Sequence, residues 1–214
     1  MRPWKLASET VALNHLSRGR LTISVGLGAI DNGFEAFGEV LDRKTRAELL
    51  DEGLDILTGL WRGQPFTYQG KHYHIKESSF YPPPPPLKQP RIPIWVVGAW
   101  PRMRSMRRAL RYDGLIPATI DSNGTVRNAT PDEVHRMKKF IEANRPREGS
   151  YDIVVEGRSL PDDPSKAAEL VRPWYKAGAT WWMATSWGSM DKPELMEVFR
   201  KRIQHGPPFQ NEHS

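Results

Sequence analysis

Short apolar segments alternate with amphipathic helical segments along almost the whole chain, and this alternation constrains the fold more than any other feature. The five β-type segments are residues 21–25, 94–97, 115–116, 152–156 and 181–185. Strands that are separated by helices usually pair in parallel through right-handed crossovers. The sequence therefore predicts an α/β fold with a parallel sheet. Periodicity alone leaves a doubly wound sheet and a (β/α) barrel open.

The helical segments carry start and stop signals. We predict helices at residues 3–16, 45–62, 102–110, 131–144, 164–177 and 192–203. Thr45 and Glu48 have the spacing of a capping box at a helix start. Thr130 and Glu133 have the same spacing, and Gly178 is a typical helix stop. Each predicted strand is thus joined to the next by at least one helix.

The segment at about 64–92 interrupts this pattern. Residues 66–75 alternate as a small hairpin would, with a turn near 69–70. Five consecutive prolines at 82–86 favour an extended polyproline II conformation. We interpret them as a stiff surface connector, with a ligand for a proline-reading domain as the alternative. Residues 1–205, this segment included, are expected to form one domain, followed by a flexible tail at 206–214.

Composition and the amino terminus exclude several classes of protein. The chain has no cysteine, which excludes disulfides, cysteine-ligated metals and thiol nucleophiles. It has no apolar run of about 18 residues, so no transmembrane helix is predicted. The first residues lack the apolar core of a signal peptide. We therefore expect a cytoplasmic protein that does not act at a membrane.

The net charge of +6 is mild, and the arginines at 102–111 are its main cluster. Without a recognisable nucleic-acid module, we interpret the cluster as a solvated helix face with one or two arginines near an anionic ligand. A basic module for an acidic partner is the alternative. His72 and His74 share a strand face, but two ligands do not make a metal site, and we predict none.

Three blocks of the sequence resemble the bacterial luciferase-like monooxygenase family. They are RPWKLASETVALNHLSRGRLTISVGLG near the amino terminus, FEAFG through LLDEGLDILTGLWRGQPFTYQGKHYHI, and PRIPIWVVGAWPRMRSMRRALRYDGLIP. The resemblance is strong over residues 1–120 and continues by pattern over 121–203. It implies a (β/α)8 TIM barrel, with reduced FMN or the deazaflavin coenzyme F-420 as cofactor. It also implies an oxidoreductase or monooxygenase that acts on a small organic substrate.

When the chain is aligned with this family, it lacks the first three strands of the barrel. On this alignment the chain starts at the helix after the third strand, so its five strands correspond to strands four to eight of a barrel. Five strands cannot close, and a partial barrel leaves two strand edges open. We therefore expect a homo-oligomer that uses these edges. The alternative is a non-catalytic half barrel that needs a partner chain or a missing amino-terminal segment.

In such a barrel, ligands sit at the carboxyl ends of the strands. The candidate cofactor-binding residues are Gly26, Gly28, Gly98, Ala99, Trp100, Arg102 and Arg104. Glycines let a ring or phosphate approach the backbone, although a tight turn explains them equally well. The resemblance implies that the stretch at 98–104 cradles the flavin phosphate. The candidate substrate-pocket residues are Ile116, Pro117, Thr119 and Trp187, and no general base is named.

Overall fold

The structure is a computed structural model that describes residues 2–29, 33–63, 65–78, 85–145, 149–157, 163–185 and 193–205. The chain divides into two compact units, Met1–Val96 and Val97–Ser214. The boundary falls within one strand, β4 (Ile94–Trp100), whose first residues belong to the first unit and whose last residues belong to the second.

The first unit combines two helices, a parallel strand pair and a small hairpin. Its elements before β4 are α1 (Pro3–Leu16), β1 (Ile23–Val25), a 3-10 helix (Phe34–Phe37), α2 (Arg43–Arg62), β2 (Phe66–Gln69) and β3 (His74–Ser78). β1 runs parallel to β4, with Val25 in register with Val96. β2 and β3 form the predicted antiparallel hairpin.

Packing of α1 on α2 forms the core of the first unit. Ala7 and Val11 are buried on α1, and Leu54, Ile56, Leu57 and Leu60 are buried on α2. The indole N–H of Trp61 donates to Thr10 Oγ1 across this interface at 3.3 Å. The hydroxyl of Thr10 in turn donates to the Leu6 carbonyl at 2.6 Å. The indole N–H of Trp61 and the hydroxyl of Thr10, which this packing buries, thus both have hydrogen-bond partners.

The second unit repeats a strand–helix pattern. After β4 its elements are α3 (Met103–Leu110), β5 (Gly114–Ile120), β6 (Val126–Asn128), α4 (Pro131–Asn144), β7 (Asp152–Gly157), α5 (Pro164–Ala177), β8 (Trp181–Ala184) and α6 (Pro193–His205). The strand order is β4-β5-β7-β8, and β6 pairs with β5 as an antiparallel extension. β5 runs parallel to β7, and β7 runs parallel to β8.

Strand order decides between the two folds that periodicity left open. In both units, sheet neighbours follow the order of the chain: β1 beside β4, and then β5, β7 and β8 in turn. A doubly wound sheet reverses its strand order at a switch point, whereas a (β/α) barrel adds each strand beside the last. Five parallel strands in chain order confirm the predicted partial barrel.

Two helix starts test the capping predictions. The Thr130–Glu133 capping box is confirmed, with both reciprocal hydrogen bonds present. The capping box predicted at Thr45 and Glu48 is wrong. α2 begins earlier, at Arg43, because the carboxylate of Asp42 caps it and accepts the Thr45 N–H at 2.7 Å. An aspartate directly before the helix is an equally good N-cap.

The strand predicted at 115–116 was too short. β5 continues through Pro117 to Ile120 and turns into β6. The carboxylate of Asp121 builds the turn by accepting the N–H groups of Asn123 and Thr125, both at 2.9 Å. β4 also runs three residues further than predicted. The prolines at 82–84 and the tail at 206–214 lie outside the described residues.

Candidate functional site

The carboxyl end of β4 forms a compact turn into α3. The Ala99 N–H donates to Ser105 Oγ at 3.0 Å, and the Arg102 N–H donates to the Ala99 carbonyl at 2.8 Å. Arg102 is the N-cap residue of α3, and no side chain caps this helix start. The first turn of α3 therefore presents backbone N–H groups at a helix end that favours anions.

An open depression of about 410 Å³ lies beside this turn. It is lined by Pro101, Arg102, Ile120, Asp121 and Ser122. The turn after β4 and the end of β5 thus meet at one place, as expected for neighbouring parallel strands. Its lining combines the apolar side chains of Pro101 and Ile120 with a guanidinium, a carboxylate and a hydroxyl.

The arginines of the 102–111 cluster differ in their surroundings. Arg102 and Arg104 are exposed, and within the described part of the chain neither makes an ion pair. Arg108 is buried, with 8% of its surface exposed. The guanidinium of Arg111 lies 5.6 Å from the ring centre of Tyr112. Only part of the cluster is therefore free for an anionic ligand, and the part nearest the depression includes Arg102.

Gly98 and Trp100, both predicted at the cofactor site, face the helices. A Cβ on Gly98 would overlap the side chain of Leu115 and lie 3.1 Å from the sulfur of Met106. Trp100 packs edge-on against Phe140 of α4, with ring centroids 6.1 Å apart. Internal packing thus explains why residue 98 is a glycine, so the glycine by itself does not indicate a cofactor.

The predicted substrate-pocket residues fall on both faces of β5. Thr119 is buried, and its hydroxyl donates to Glu133 of α4 at 3.1 Å. Side chains alternate along a strand, so Pro117 shares the helix-covered face with Thr119, and Ile116 lies on the opposite face with Ile120. Ile120, Asp121 and Ser122, which line the depression, were missed because the predicted strand ended too early. Trp187 lies outside the described residues.

Glu133 joins β5, β6 and α4 through hydrogen bonds. Its carboxylate receives a forked pair of hydrogen bonds from Arg127, at 2.7 and 2.9 Å. It also accepts the Thr130 N–H at 2.8 Å and the Thr119 hydroxyl. These contacts, the Arg127 hydrogen bond foremost, lower the pKa of Glu133 to about 2. A carboxylate that accepts this many hydrogen bonds stays ionised near neutral pH. Glu133 therefore stabilises the junction of β5, β6 and α4 and does not exchange protons there.

Gly26 and Gly28 belong to the first unit, whereas the other predicted site residues belong to the second. Gly28 has φ +75°, which favours glycine. Arg46 of α2 donates to the carbonyls of Leu27 and Ala29 on either side, and a Cβ on Gly28 would lie 2.9 Å from the same guanidinium. α2 thus fixes this turn, and the turn accounts for Gly28.

The β2–β3 hairpin is anchored by two carboxylates of α2 that sequence reasoning missed. Glu48 Oε2 lies 2.8 Å from His72 Nε2, and it also accepts the Lys71 ammonium. Burial would raise the pKa of Glu52, but the N–H groups of His72, Tyr73 and Lys71 together lower it. No group of three metal-ligating side chains occurs among the residues described.

Comparison with known proteins identifies the family. The family model described as luciferase-like monooxygenase matches residues 1–212. The chain belongs to this family. An uncharacterized protein of Mycobacterium tuberculosis is 30% identical over 169 residues, which is 78% of this chain and 56% of that protein. The F420-dependent glucose-6-phosphate dehydrogenase of Kineococcus radiotolerans is 25% identical over 173 residues, 80% of this chain and 49% of the dehydrogenase.

A solved structure supports the fold. The oxygenating constituent of 3,6-diketocamphane monooxygenase from Pseudomonas putida, in complex with FMN, superposes with a TM-score of 0.54 at 20% identity. The superposition covers 80% of this chain and 49% of that one. The chain thus spans about half the length of the curated relatives it matches. Within the described segments, no helix is long and apolar enough to cross a membrane.

Proposed function

We propose that this luciferase-like chain is an oxidoreductase or monooxygenase that binds FMN and acts on a small organic substrate, with the deazaflavin coenzyme as the alternative cofactor. The observation that carries this proposal is the unpaired Arg102 at the uncapped start of α3, on the wall of an open depression. Family membership supplies the reaction class. Relatives named for F420 and a neighbour that contains FMN support either cofactor.

The residues around the depression fit a cofactor that carries a phosphate. Arg102 and Arg104 offer two positive charges, and the first turn of α3 offers backbone N–H groups, so a phosphate could be held there. When bound, the flavin supplies the hydride or oxygen chemistry, as cofactors generally do. Ile120 and Pro101 offer the ligand an apolar surface, and Ser122 offers it a hydroxyl.

Ser105 has a positioning role in this proposal. Its hydroxyl receives the Ala99 N–H and lies 3.4 Å from the Val97 carbonyl. The bonds join the first turn of α3 to the end of β4. They keep the helix start, and with it Arg102, in a fixed relation to the strand. Such preorganisation reduces the ordering that a ligand would otherwise require on binding.

The test is a fluorescence titration of the 214-residue chain with FMN and, separately, with the deazaflavin coenzyme. We expect saturable binding of one of them, with the dissociation constant raised about tenfold by Arg102→Ala. Arg107→Ala is the matched control, because Arg107 is an exposed arginine of the same helix that does not line the depression. If both substitutions raised the dissociation constant equally, binding would depend on the overall positive charge of α3 and not on a specific site at Arg102.

Self-association belongs to the same proposal. In the described strand order β1 stands at one end, with β4 as its one neighbour. We propose a cytoplasmic homo-oligomer of a single partial-barrel domain at 1–205. If neither cofactor binds and the sample is polydisperse, the non-catalytic half barrel that requires a partner replaces the enzyme proposal. Sedimentation of the titrated sample distinguishes these two outcomes.

A further inference from the structure

A carboxylate stands at the carboxyl end of an otherwise uncharged part of the second unit's sheet. Glu156 is the last residue but one of β7, and it is half-buried. The strands β4, β5, β7 and β8 contain no lysine, arginine or histidine, and their one other charged residue is Asp152. Asp152 lies at the amino end of β7, where it accepts the indole N–H of Trp181 at 3.0 Å. Glu156 lies at the opposite end of the strand, the end at which barrels of parallel strands bind their ligands.

Glu156 lies on the face of β7 that the helices do not cover. A Cβ on its neighbour Gly157 would overlap the indole of Trp182 on β8. Trp182 itself packs against the buried Ala167 and Val171 of α5. Gly157 therefore belongs to the helix-covered face of the sheet. Because side chains alternate along a strand, Glu156 belongs to the opposite face.

The depression beside α3 opens on the same face of the sheet. Ile120, which lines it, lies on the face of β5 opposite Thr119, whose hydroxyl bonds to α4. β5 and β7 are parallel neighbours, with Leu115 in register with Ile153. Counted on from this pair, Glu156 lies one strand across from Ile120 and two residues before its level. Neighbouring strands are about 4.8 Å apart, so the carboxylate borders the proposed cofactor site.

The neighbours of Glu156 on this face are apolar. Val154 precedes it on the same face and is 1% exposed, and Met183 of β8 is its partner in register. Ile116 and Ile120 of β5 add two buried side chains to this surface. A carboxylate among apolar side chains attracts a positive charge more strongly than a carboxylate in water, because the charges are less screened. A protonated amine offers such a carboxylate both a charge and N–H donors.

We propose that Glu156 determines substrate specificity by binding a positively charged nitrogen, so that the small organic substrate of this chain is an amine. The ammonium group would donate hydrogen bonds to the carboxylate, and the hydrocarbon part would lie against Ile116 and Met183. This inference deepens the proposed function and rests on it, because it places the substrate beside the proposed cofactor site. The phosphate of the cofactor and the ammonium of the substrate then have separate partners, Arg102 and Glu156.

The experiment compares benzylamine, which is positively charged at neutral pH, with benzyl alcohol, which has the same ring and no charge. Isothermal titration calorimetry measures the binding of each probe to the full chain, with and without FMN. We expect benzylamine to bind at least about tenfold more tightly than benzyl alcohol. General electrostatics predicts the reverse order, because the net charge of +6 repels a cation. Glu156→Gln should raise the dissociation constant of benzylamine about tenfold and change that of benzyl alcohol less than about twofold.

Glu169→Gln is the matched control, because Glu169 is an exposed carboxylate of α5 and the same charge is removed. Far-ultraviolet circular dichroism checks the fold of each variant. If Glu156→Gln does not fold, Glu156→Met, which suits the apolar neighbours, replaces it with the same expected result. A wild type that does not prefer benzylamine, a variant that keeps the preference, or an equal loss in the control would overturn the inference. A chain that prefers benzylamine but binds neither FMN nor the deazaflavin would keep Glu156 as an amine site and refute the cofactor part of the proposed function.

Discussion

Replacing Glu133 with glutamine is the most informative test of how the second unit is held together. The substitution keeps the size of the side chain and removes its charge. It weakens the forked contact with Arg127, and it weakens the bonds from Thr130 and Thr119. These bonds join β5, β6 and the start of α4. We therefore expect a loss of stability that exceeds the loss of an ordinary surface ion pair.

The magnitude follows from the pKa of Glu133. A carboxyl whose pKa falls from 4.5 to about 2 on folding stabilises the folded state by at most about 3 kcal/mol at neutral pH. The side chain of Arg127 is 43% exposed, so solvent screens part of this interaction. We expect Glu133→Gln to lower the free energy of unfolding by about 2 kcal/mol. Urea unfolding at pH 7.5 measures it.

The pH dependence has a definite sign. Because folding lowers the pKa of Glu133, its contribution is fully present above about pH 4.5 and is lost as the pH falls toward 2. The unfolding free energies of wild type and Glu133→Gln should therefore converge in acid. Glu142→Gln is the control, since Glu142 is 61% exposed with Lys138 at 3.6 Å, and it should cost less than about 0.5 kcal/mol. A gap that stays constant from pH 7.5 to pH 3, or equal costs for both variants, would refute the reasoning.

Two further substitutions test packing and the hairpin anchor. Gly98→Ala should destabilise the protein by about 1 to 3 kcal/mol, because the new methyl group overlaps Leu115, and Leu115→Ala in the same chain should recover part of that loss in thermal or urea unfolding. A purely additive double variant would contradict the packing explanation. Glu52→Gln should speed hydrogen exchange of the amides in the turn between β2 and β3 by several-fold at neutral pH, because these amides donate to its carboxylate. Glu77→Gln, at an exposed position of β3, should leave the exchange rates unchanged.

Local patterns predicted the order of strands and helices well, because apolar spacing and caps act within a few residues. Thr130 and Glu133 lie three residues apart, so their capping box could be predicted from the sequence. Arg127, which also bonds to Glu133, could not be predicted as part of this group. Arg127 lies on β6, a strand of three exposed residues that is too short for an apolar run or alternation to predict it. Pro117 also suggested a strand end where β5 in fact continues.

The candidate site, too, could be predicted from local sequence patterns only in part. The sequence placed the site at the end of β4, and it named Arg102, which lines the depression. It misjudged which face each side chain of β5 takes, because alternation can be counted only from a correct strand. Thr119 was therefore grouped with Ile116, although it bonds to α4. The anchoring of the hairpin by Glu48 and Glu52 joins residues about twenty positions apart, and no local rule reveals such a contact.

We expect two arginines of the second unit to have different roles, Arg127 in stability and Arg102 in ligand binding. Arg127 gives its charge to Glu133, so its role in the structure is accounted for. Arg102 has no such partner in the described part of the chain, although it lies at a helix start that already favours anions and gains nothing from another cation. The proposed function assigns the anionic group of a ligand as the partner of this side chain. Arg127→Ala should therefore lower the unfolding free energy with little effect on flavin affinity, and Arg102→Ala should do the reverse. If both substitutions changed only stability, the unpaired charge would have no role in binding.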